Sequence, residues 1–291
     1  MNISLVCVPY QGDVARWGNA MGPKAFLDHG LVQQIQEQGF TVSEPVWIEL
    51  PKAERTRDTV TNLDNIARRT ATAVFTALSK GDFVLVLAGD CTHAVGPIGG
   101  LAQVKGAAGV VWFDAHGDMN TMETSTTGLW GGMPYAVALG WDLSDWRLAA
   151  GLVHPVRPEA AALIGSSDLD PAEIEALHSH PIFWLEAQNM MQQNAAQQVQ
   201  TGLRQRANEA PGWYLHIDLD VAGPEELPGG LTPAPYWPPR ENLLASVKAA
   251  VQSAPVDVAT IAVYNPSSDI NGRGLRLGLD MAGAILDGLK G

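Results

Sequence analysis

Cysteine occurs only twice, at Cys7 and Cys91, which excludes a disulfide-stapled scaffold and fits a chain made in a reducing compartment. The cytoplasm is therefore the expected location. Basic residues are also scarce: 18 Lys and Arg stand against 31 Asp and Glu, for a formal charge of −13. Such a surface repels a phosphate backbone, so nucleic acid is excluded as an expected partner. No apolar run approaches the ~18 residues of a membrane-spanning helix. The opening Met1-Asn-Ile-Ser-Leu-Val-Cys-Val lacks the basic head and small-residue cleavage pattern of a secretory signal. No membrane partner is expected, and the segment reads as a buried first strand. Repeats, heptads and low-complexity tracts are missing as well. What remains is a chain of 291 residues, 46% hydrophobic, with the size and composition of a globular protein that needs no staples.

Short runs rich in Val, Ile and Leu alternate with helical patterns. The runs are Ile3 to Val8, Phe83 to Leu87, Gly109 to Phe113, Leu163 to Gly165, Ile182 to Leu185, Trp213 to Ile217 and Val258 to Ala262. Continuous apolar strands separated by helices predict a mainly parallel sheet covered on both faces, an α/β three-layer αβα sandwich. One domain is expected to span residues 1–291. Helices are predicted over Gly22 to Gln38, Leu63 to Ser79, Pro171 to His180, Ala195 to Asn208, Glu241 to Ser253 and Leu275 to Leu289. The Pro/Gly-rich stretch from Gly223 to Pro239 abuts the most charged strand and reads as an active-site loop.

Parallel sheets bind ligands beyond the carboxyl ends of their strands, so polar residues there deserve the first look. Four such places occur: Gly89-Asp90-Cys91-Thr92, Asp114-Ala-His116-Gly-Asp118, Ser166-Ser-Asp168-Leu-Asp170-Pro and His216-Ile-Asp218-Leu-Asp220. Strand alternation puts residues i and i+2 on one face, so Asp114 and His116 are expected to converge with Asp218 and Asp220. Carboxylates packed that closely cannot all ionise without compensation, and a divalent cation is the usual compensation. One imidazole among oxygen donors suits Mn(II) or another borderline metal better than a thiolate-rich zinc site does. For any single Asp, ending a strand or capping the following helix is the commoner role; two clusters behind two strands favour metal.

These residues carry a family resemblance. Asp114-Ala-His116-Gly-Asp118-Met-Asn120-Thr121 resembles the DAHxDxNT motif of the ureohydrolases, the arginase and agmatinase superfamily. His216-Ile-Asp218-Leu-Asp220 is similar to its SxDxD motif, and Gly89-Asp90-Cys91-Thr92 to its GDHS motif. The likeness runs from Gly12, through Gly22-Pro23 and the following GPxxLRxxGL-like residues, to Asn265-Pro266. It implies an arginase-like fold and two Mn(II) ions per chain, whose bound hydroxide attacks a guanidinium carbon. It also implies a small-molecule guanidino substrate and a homo-oligomer, a trimer or hexamer. By the resemblance, Asp114 and Asp218 bridge the ions and His116 and Asp220 complete one site. Asp118 and Cys91 serve the other, with Asp118 also orienting the hydroxide. Cys91 stands where the family has His, and sulfur is softer than Mn(II) prefers, so occupancy of that site is the open question. His216 replaces the usual Ser and is a candidate hydrogen-bond partner of a metal ligand, proton shuttle or replacement ligand. His93, two residues beyond Cys91, is expected to have a structural or surface role.

The resemblance also bears on substrate. Asn120 and Thr127 match positions that bind an α-carboxylate, and Asp170 one that receives an α-amino group; together they imply an arginine-like amino acid rather than a decarboxylated amine. Gly131 stands in place of a proton-shuttling histidine, with Trp130 beside the expected pocket, and Val263 in place of a glutamate that grips the guanidinium. Losing that charge disfavours a strongly basic guanidinium. The expected activity is thus hydrolysis of a modified guanidino or amidino group, such as that of N-hydroxyarginine, with Val263 and Trp130 as selectivity elements. The alternatives are a single-metal deacetylase-like amidohydrolase and a non-catalytic metal- or amino-acid-binding homologue.

Overall fold

The structure, a computed structural model, describes residues 1–228 and 234–291. Strands and helices are numbered in chain order. The apolar runs become β1 (Asn2–Val8), β6 (Phe83–Ala88), β7 (Gly109–Phe113), β8 (Ala161–Ser166), β9 (Phe183–Glu186), β10 (Trp213–Asp218) and β11 (Val256–Ala262). Two short additions, β4 (Thr41–Val42) and β5 (Val46–Trp47), pair with β1, while β2 (Tyr10–Gln11) and β3 (Val14–Ala15) form a separate antiparallel hairpin. The main sheet has the order β4-β1-β6-β11-β10-β7-β8-β9. Its pairs run parallel, so each connection must cross over a face, and helices cover both.

Alternation along the strands divides the core into two layers. On one face Leu5, Leu85, Val111 and Leu215 pack with residues of α1 (Gly22–Asp28), α2 (Leu31–Glu37), α9 (Ala195–Arg204), α10 (Arg240–Ser253) and α11 (Arg273–Leu289). On the other, Val6, Val86, Trp112 and Tyr214 pack with residues of α3 (Thr59–Leu78), α4 (Val95–Lys105), α5 (Pro134–Leu139) and α7 (Pro171–Ser179). Two small helices, α6 (Ser144–Ala149) and α8 (Ala187–Met190), complete the set among the described residues.

Two helix expectations need correction. The predicted Gly22 to Gln38 helix is two helices, because Gly30 adopts φ 96° and turns the chain between them. The helix from Ala195 stops at Arg204, and a short 3-10 turn, Ala207–Glu209, takes up the rest. Four helices are unforeseen, α4, α5, α6 and α8; the longest, α4, contains Gly96, Gly99 and Gly100, yet these glycines are what let it pack. A Cβ at Gly96 would stand 2.8 Å from the Ala67 carbonyl oxygen, and one at Gly100 2.6 Å from that of Ala71, both on α3. Tertiary packing here overrides weak intrinsic propensity.

No described helix is long and apolar enough to cross a membrane. Both cysteines are buried and unbridged.

Candidate metal centre

Because β11 and β10 lie between β6 and β7, the carboxyl ends of four central strands stand side by side. A 3-10 turn, Cys91–Ala94, follows β6, with the Asp90 side chain accepting from Thr92 N at 3.2 Å. Asp114 follows β7, Asp218 ends β10, and Val263 follows β11, its amide donating to Gly89 O at 3.1 Å.

The expected convergence occurs, though by a different local route. Asp114 and His116 lie just past the end of β7, where the His116 amide donates to Asp114 Oδ1 at 2.7 Å in an Asx-type turn. Asp220 sits in the 3-10 turn Leu219–Val221, and its amide donates to Asp218 Oδ1 at 2.8 Å. Turn chemistry, not strand alternation, thus folds each pair inward. His116 Nδ1 lies 3.3 Å from both Asp114 Oδ1 and Asp220 Oδ2. Asp118 adopts φ 51°, a conformation that Asp tolerates, and its carbonyl accepts from the Tyr135 and Ala136 amides at 3.0 and 3.2 Å.

On the other side of Asp114, the Cys91 thiol donates to Asp218 Oδ2 at 2.9 Å and lies 4.0 Å from Asp114 Oδ2. His216 Nε2 is 3.3 Å from Cys91 Sγ, and its Nδ1 is 2.9 Å from the Tyr214 hydroxyl. The imidazole is fully buried and stacks on Trp112 with ring centroids 3.9 Å apart. Trp112 Nε1 in turn donates to Asp114 Oδ2 at 3.0 Å. Tyr214 was reachable from sequence, being two residues before His216 on the same strand face. Trp112 was not, since its pairing with His216 depends on the β7–β10 register. His93 has the structural place expected, its Nε2 lying 3.0 Å from Tyr10 O.

Electrostatically the cluster is unbalanced. Burial, reinforced by Asp220 and Asp114, holds the Asp218 carboxyl well above the usual carboxylate range. Asp118 is raised by burial and Asp114. Asp114 is raised by burial and Asp220. Burial, with Asp218, Asp118 and Asp114 adding to it, pushes the Cys91 thiol up. His116, among carboxylates that outweigh its burial, is raised. His216 goes the other way: burial lowers it to about 3, so it is neutral at physiological pH.

Within the cluster, the buried His116 Nε2, Asp118 Oδ2 and Asp220 Oδ1 lack any hydrogen-bond partner. Two donor groups, Cys91, Asp114 and His216 on one side and Asp114, His116 and Asp220 on the other, each have their ligand atoms within 4.8 Å of one another. Orphaned acceptors beside excess buried carboxylate are the arrangement a divalent cation resolves. The residues fit a metal, with Asp114 common to both groups.

Beyond the cluster, Asn120 Nδ2 donates to Asp170 Oδ2 at 2.8 Å, so two of the expected substrate residues do meet. Thr127 is exposed, its hydroxyl accepting from Leu129 N at 3.2 Å. Trp130 leans on a small cluster that includes Leu63 and Trp146. Nothing lies within 4 Å of where a Cβ would stand at Gly131. Val263 is partly buried at φ 65°, a conformation costly for a β-branched residue and frequent at functional sites. Residues 229–233 of the expected Gly223–Pro239 loop lie outside the described residues. Its flank reaches the neighbourhood of Asp168 through Ser167 Oγ, which donates to Tyr236 O at 2.8 Å. A cavity of about 800 Å³ between the β5 edge and α3 includes none of the cluster residues.

Sequence reasoning missed Glu173. Its carboxylate accepts from Met119 N and Asp170 N, both at 2.9 Å, and so ties the Asp118–Asn120 segment to the start of α7. The Asp170-Pro-Ala-Glu173 spacing signals a capping box, but not the reach to Met119. Glu173→Gln replaces one of the two acceptors by an NH₂ group and is expected to cost about 1–3 kcal/mol. Burial pushes Glu173 up to about 6 from an ordinary 4.5. A raised carboxyl contributes stability below its unfolded value, and that stability is lost as pH rises through the folded one. The melting-temperature gap between parent and variant, both metal-free, is therefore expected to be wider at pH 4 than at pH 7. A gap that does not change with pH would refute this account.

Residues 1–286 match the model of the Arginase family. The chain is 32% identical to an arginase of Bacillus caldovelox over 246 residues, 79% of this chain and 80% of that protein. It superposes on a crystal structure of arginase from Bacillus subtilis with a TM-score of 0.88 and 25% identity, covering 98% of both chains. Formimidoylglutamase from Bacillus subtilis shares the fold at a TM-score of 0.77 and 18% identity, over 99% of this chain and 87% of that one. A sequence match of this extent settles membership: the chain belongs to the arginase family, hydrolases of guanidino and amidino carbon–nitrogen bonds.

Proposed function

We propose that the chain hydrolyses the guanidino C–N bond of an arginine-like amino acid whose guanidine is modified, with N-hydroxyarginine as the leading substrate, at a centre of two divalent cations. The observation that carries this reading is the apolar Val263, pinned beside Gly89 and the Cys91 turn by its 3.1 Å hydrogen bond. An apolar wall there offers no partner to a fully charged guanidinium, whereas a less basic N-hydroxyguanidine gives up less by binding. Open space at Gly131 accommodates the added hydroxyl.

In this reading Asp114 and Asp218 serve both cations, His116 and Asp220 hold one, and Cys91 and Asp118 face the other. Mn(II) suits the oxygen-rich half. When bound, the cations would supply the Lewis acidity that lowers the pKa of a water and offsets negative charge on the attacking oxygen. The Asn120–Asp170 pair presents an amide and a carboxylate to the α-carboxylate and α-amino groups, with Thr127 at the rim and Trp130 shaping the entrance. Asp118 Oδ2, buried and unpartnered, accepts a hydrogen bond from the attacking water and conveys its proton toward the departing nitrogen. The water oxygen bonds to the guanidino carbon, the bond to the alkyl nitrogen breaks, and that nitrogen leaves as an amine. The products are ornithine and N-hydroxyurea. His216, neutral and walled in by Trp112 and Tyr214, holds the centre in place and does not carry this proton.

The test is amino-acid analysis of ornithine released from N-hydroxyarginine, arginine and agmatine by protein loaded with Mn(II) or Co(II). The expected result is a kcat/KM at least about tenfold higher for N-hydroxyarginine than for arginine, the scale set by one unsatisfied polar contact. Equal or better use of arginine, or no ornithine at all, would overturn the assignment.

A further inference from the structure

The two halves of the cluster differ in chemistry. Asp114, His116 and Asp220 offer oxygen and one imidazole. Cys91, Asp114 and His216 offer sulfur, oxygen and nitrogen, from residues no more than 4% exposed. The 3.3 Å between Cys91 Sγ and His216 Nε2 is close to the separation of about 3.5 Å expected for sulfur and nitrogen on one tetrahedral zinc-like ion. Asp218 Oδ2 accepts a hydrogen bond from the thiol at 2.9 Å on the same side. The Asp118 carboxylate, itself only 6% exposed and with Oδ2 unpartnered, faces the same cluster.

The His216 ring is held on one face and at Nδ1. Trp112 covers one face at 3.9 Å, and the Tyr214 hydroxyl meets Nδ1 at 2.9 Å. In the tautomer whose Nδ1–H donates to Tyr214, the lone pair of Nε2 points toward Cys91. A hydrogen bond on the remote nitrogen that orients an imidazole is the usual support of a metal-ligating histidine.

We infer that Cys91 and His216 together form a mixed sulfur–nitrogen half-site, selective for a borderline cation such as Zn(II), Fe(II) or Co(II) over Mn(II), with Tyr214 as its positioning residue. The imidazole missing at position 91 is supplied from β10, across the intervening strand β11. The centre is then chemically asymmetric: one half suits Mn(II) and the other a softer ion. This inference rests on the reading above only in requiring that the cluster bind metal.

Co(II) titration of the chelator-treated full chain, followed by absorption and by elemental analysis, tests it. The parent is expected to take two Co(II) per chain, one of which brings a sulfur-to-cobalt charge-transfer band. Cys91→Ser is expected to lose the band and one equivalent while keeping the other. His216→Ser is expected to retain the band but weaken that half-site at least about tenfold, as loss of a ligand or its support does. Circular dichroism and melting temperature of each metal-free variant establish that it is folded. A parent without the band overturns the inference, as does a folded His216→Ser variant whose second Co(II) binds within twofold of the parent. None of these readouts uses turnover: a protein with the band that hydrolyses no guanidine refutes the proposed function alone, and one that hydrolyses it without the band refutes this inference alone.

Discussion

Asp218→Asn is expected to reverse the sign of its own effect on stability according to whether metal is present. Without metal, the parent carries a buried carboxyl held well above its ordinary 3.8 by burial and by Asp220 and Asp114. Such a group contributes stability at low pH that is lost as pH rises through the elevated folded value, so at pH 7 it works against the fold. Asn is isosteric, keeps an acceptor for the Asp220 amide and removes the charge. The metal-free variant should therefore melt above the metal-free parent at neutral pH. With Mn(II) at about 100 times its dissociation constant, the parent gains about 2.7 kcal/mol, or about 5 °C in a chain of this size. The variant, lacking the carboxylate that the proposed reading shares between both cations, is expected to gain little of it. Turnover should fall by more than about 10³-fold, because residues acting as one unit on a transition state are lost together. Scanning calorimetry with and without Mn(II) decides the matter: equal metal-dependent shifts in parent and variant would remove Asp218 from the centre.

Val263→Glu should shift the preference between substrates. A charge-assisted hydrogen bond of about 1.5–3 kcal/mol to a guanidinium corresponds to a relative gain of about 10- to 100-fold in kcat/KM for arginine over N-hydroxyarginine. Glu is also unbranched at Cβ, so it accepts the φ of 65° at this position with less crowding than Val. Measuring both substrates on the same preparation cancels differences in active fraction. An unchanged ratio would mean that the side chain at 263 does not face the guanidino group.

The sheet was legible because buried parallel strands announce themselves as continuous apolar runs; β7 matches its expected bounds at Gly109–Phe113. The strand-end residues Cys91, Asp114, His116, Asp118, Asp218 and Asp220 were legible for the same reason, since polar residues stand out where such runs stop. Less was visible wherever contact depends on strand order. Cys91 and His216 are 125 residues apart, and nothing in either local stretch says that their strands flank β11. Glu173 was hidden because a capping residue looks alike whether or not it also holds a neighbouring loop. The helix α4 was hidden because its glycines argue against a helix until the partner that needs them is known.

That glycine-bearing helix has a consequence for mutational tolerance. Gly96 and Gly100 press on the backbone of α3, and a Cβ at Gly99 would stand 2.2 Å from the Ala150 carbonyl oxygen on a neighbouring face. The helix is thus wedged with little freedom to roll or slide, and the turn bearing Cys91 is its leading end. An added methyl along this wedge is expected to displace the Cys91 sulfur without touching the cluster. In a random library, these glycines will score as site residues although they contact no ligand atom.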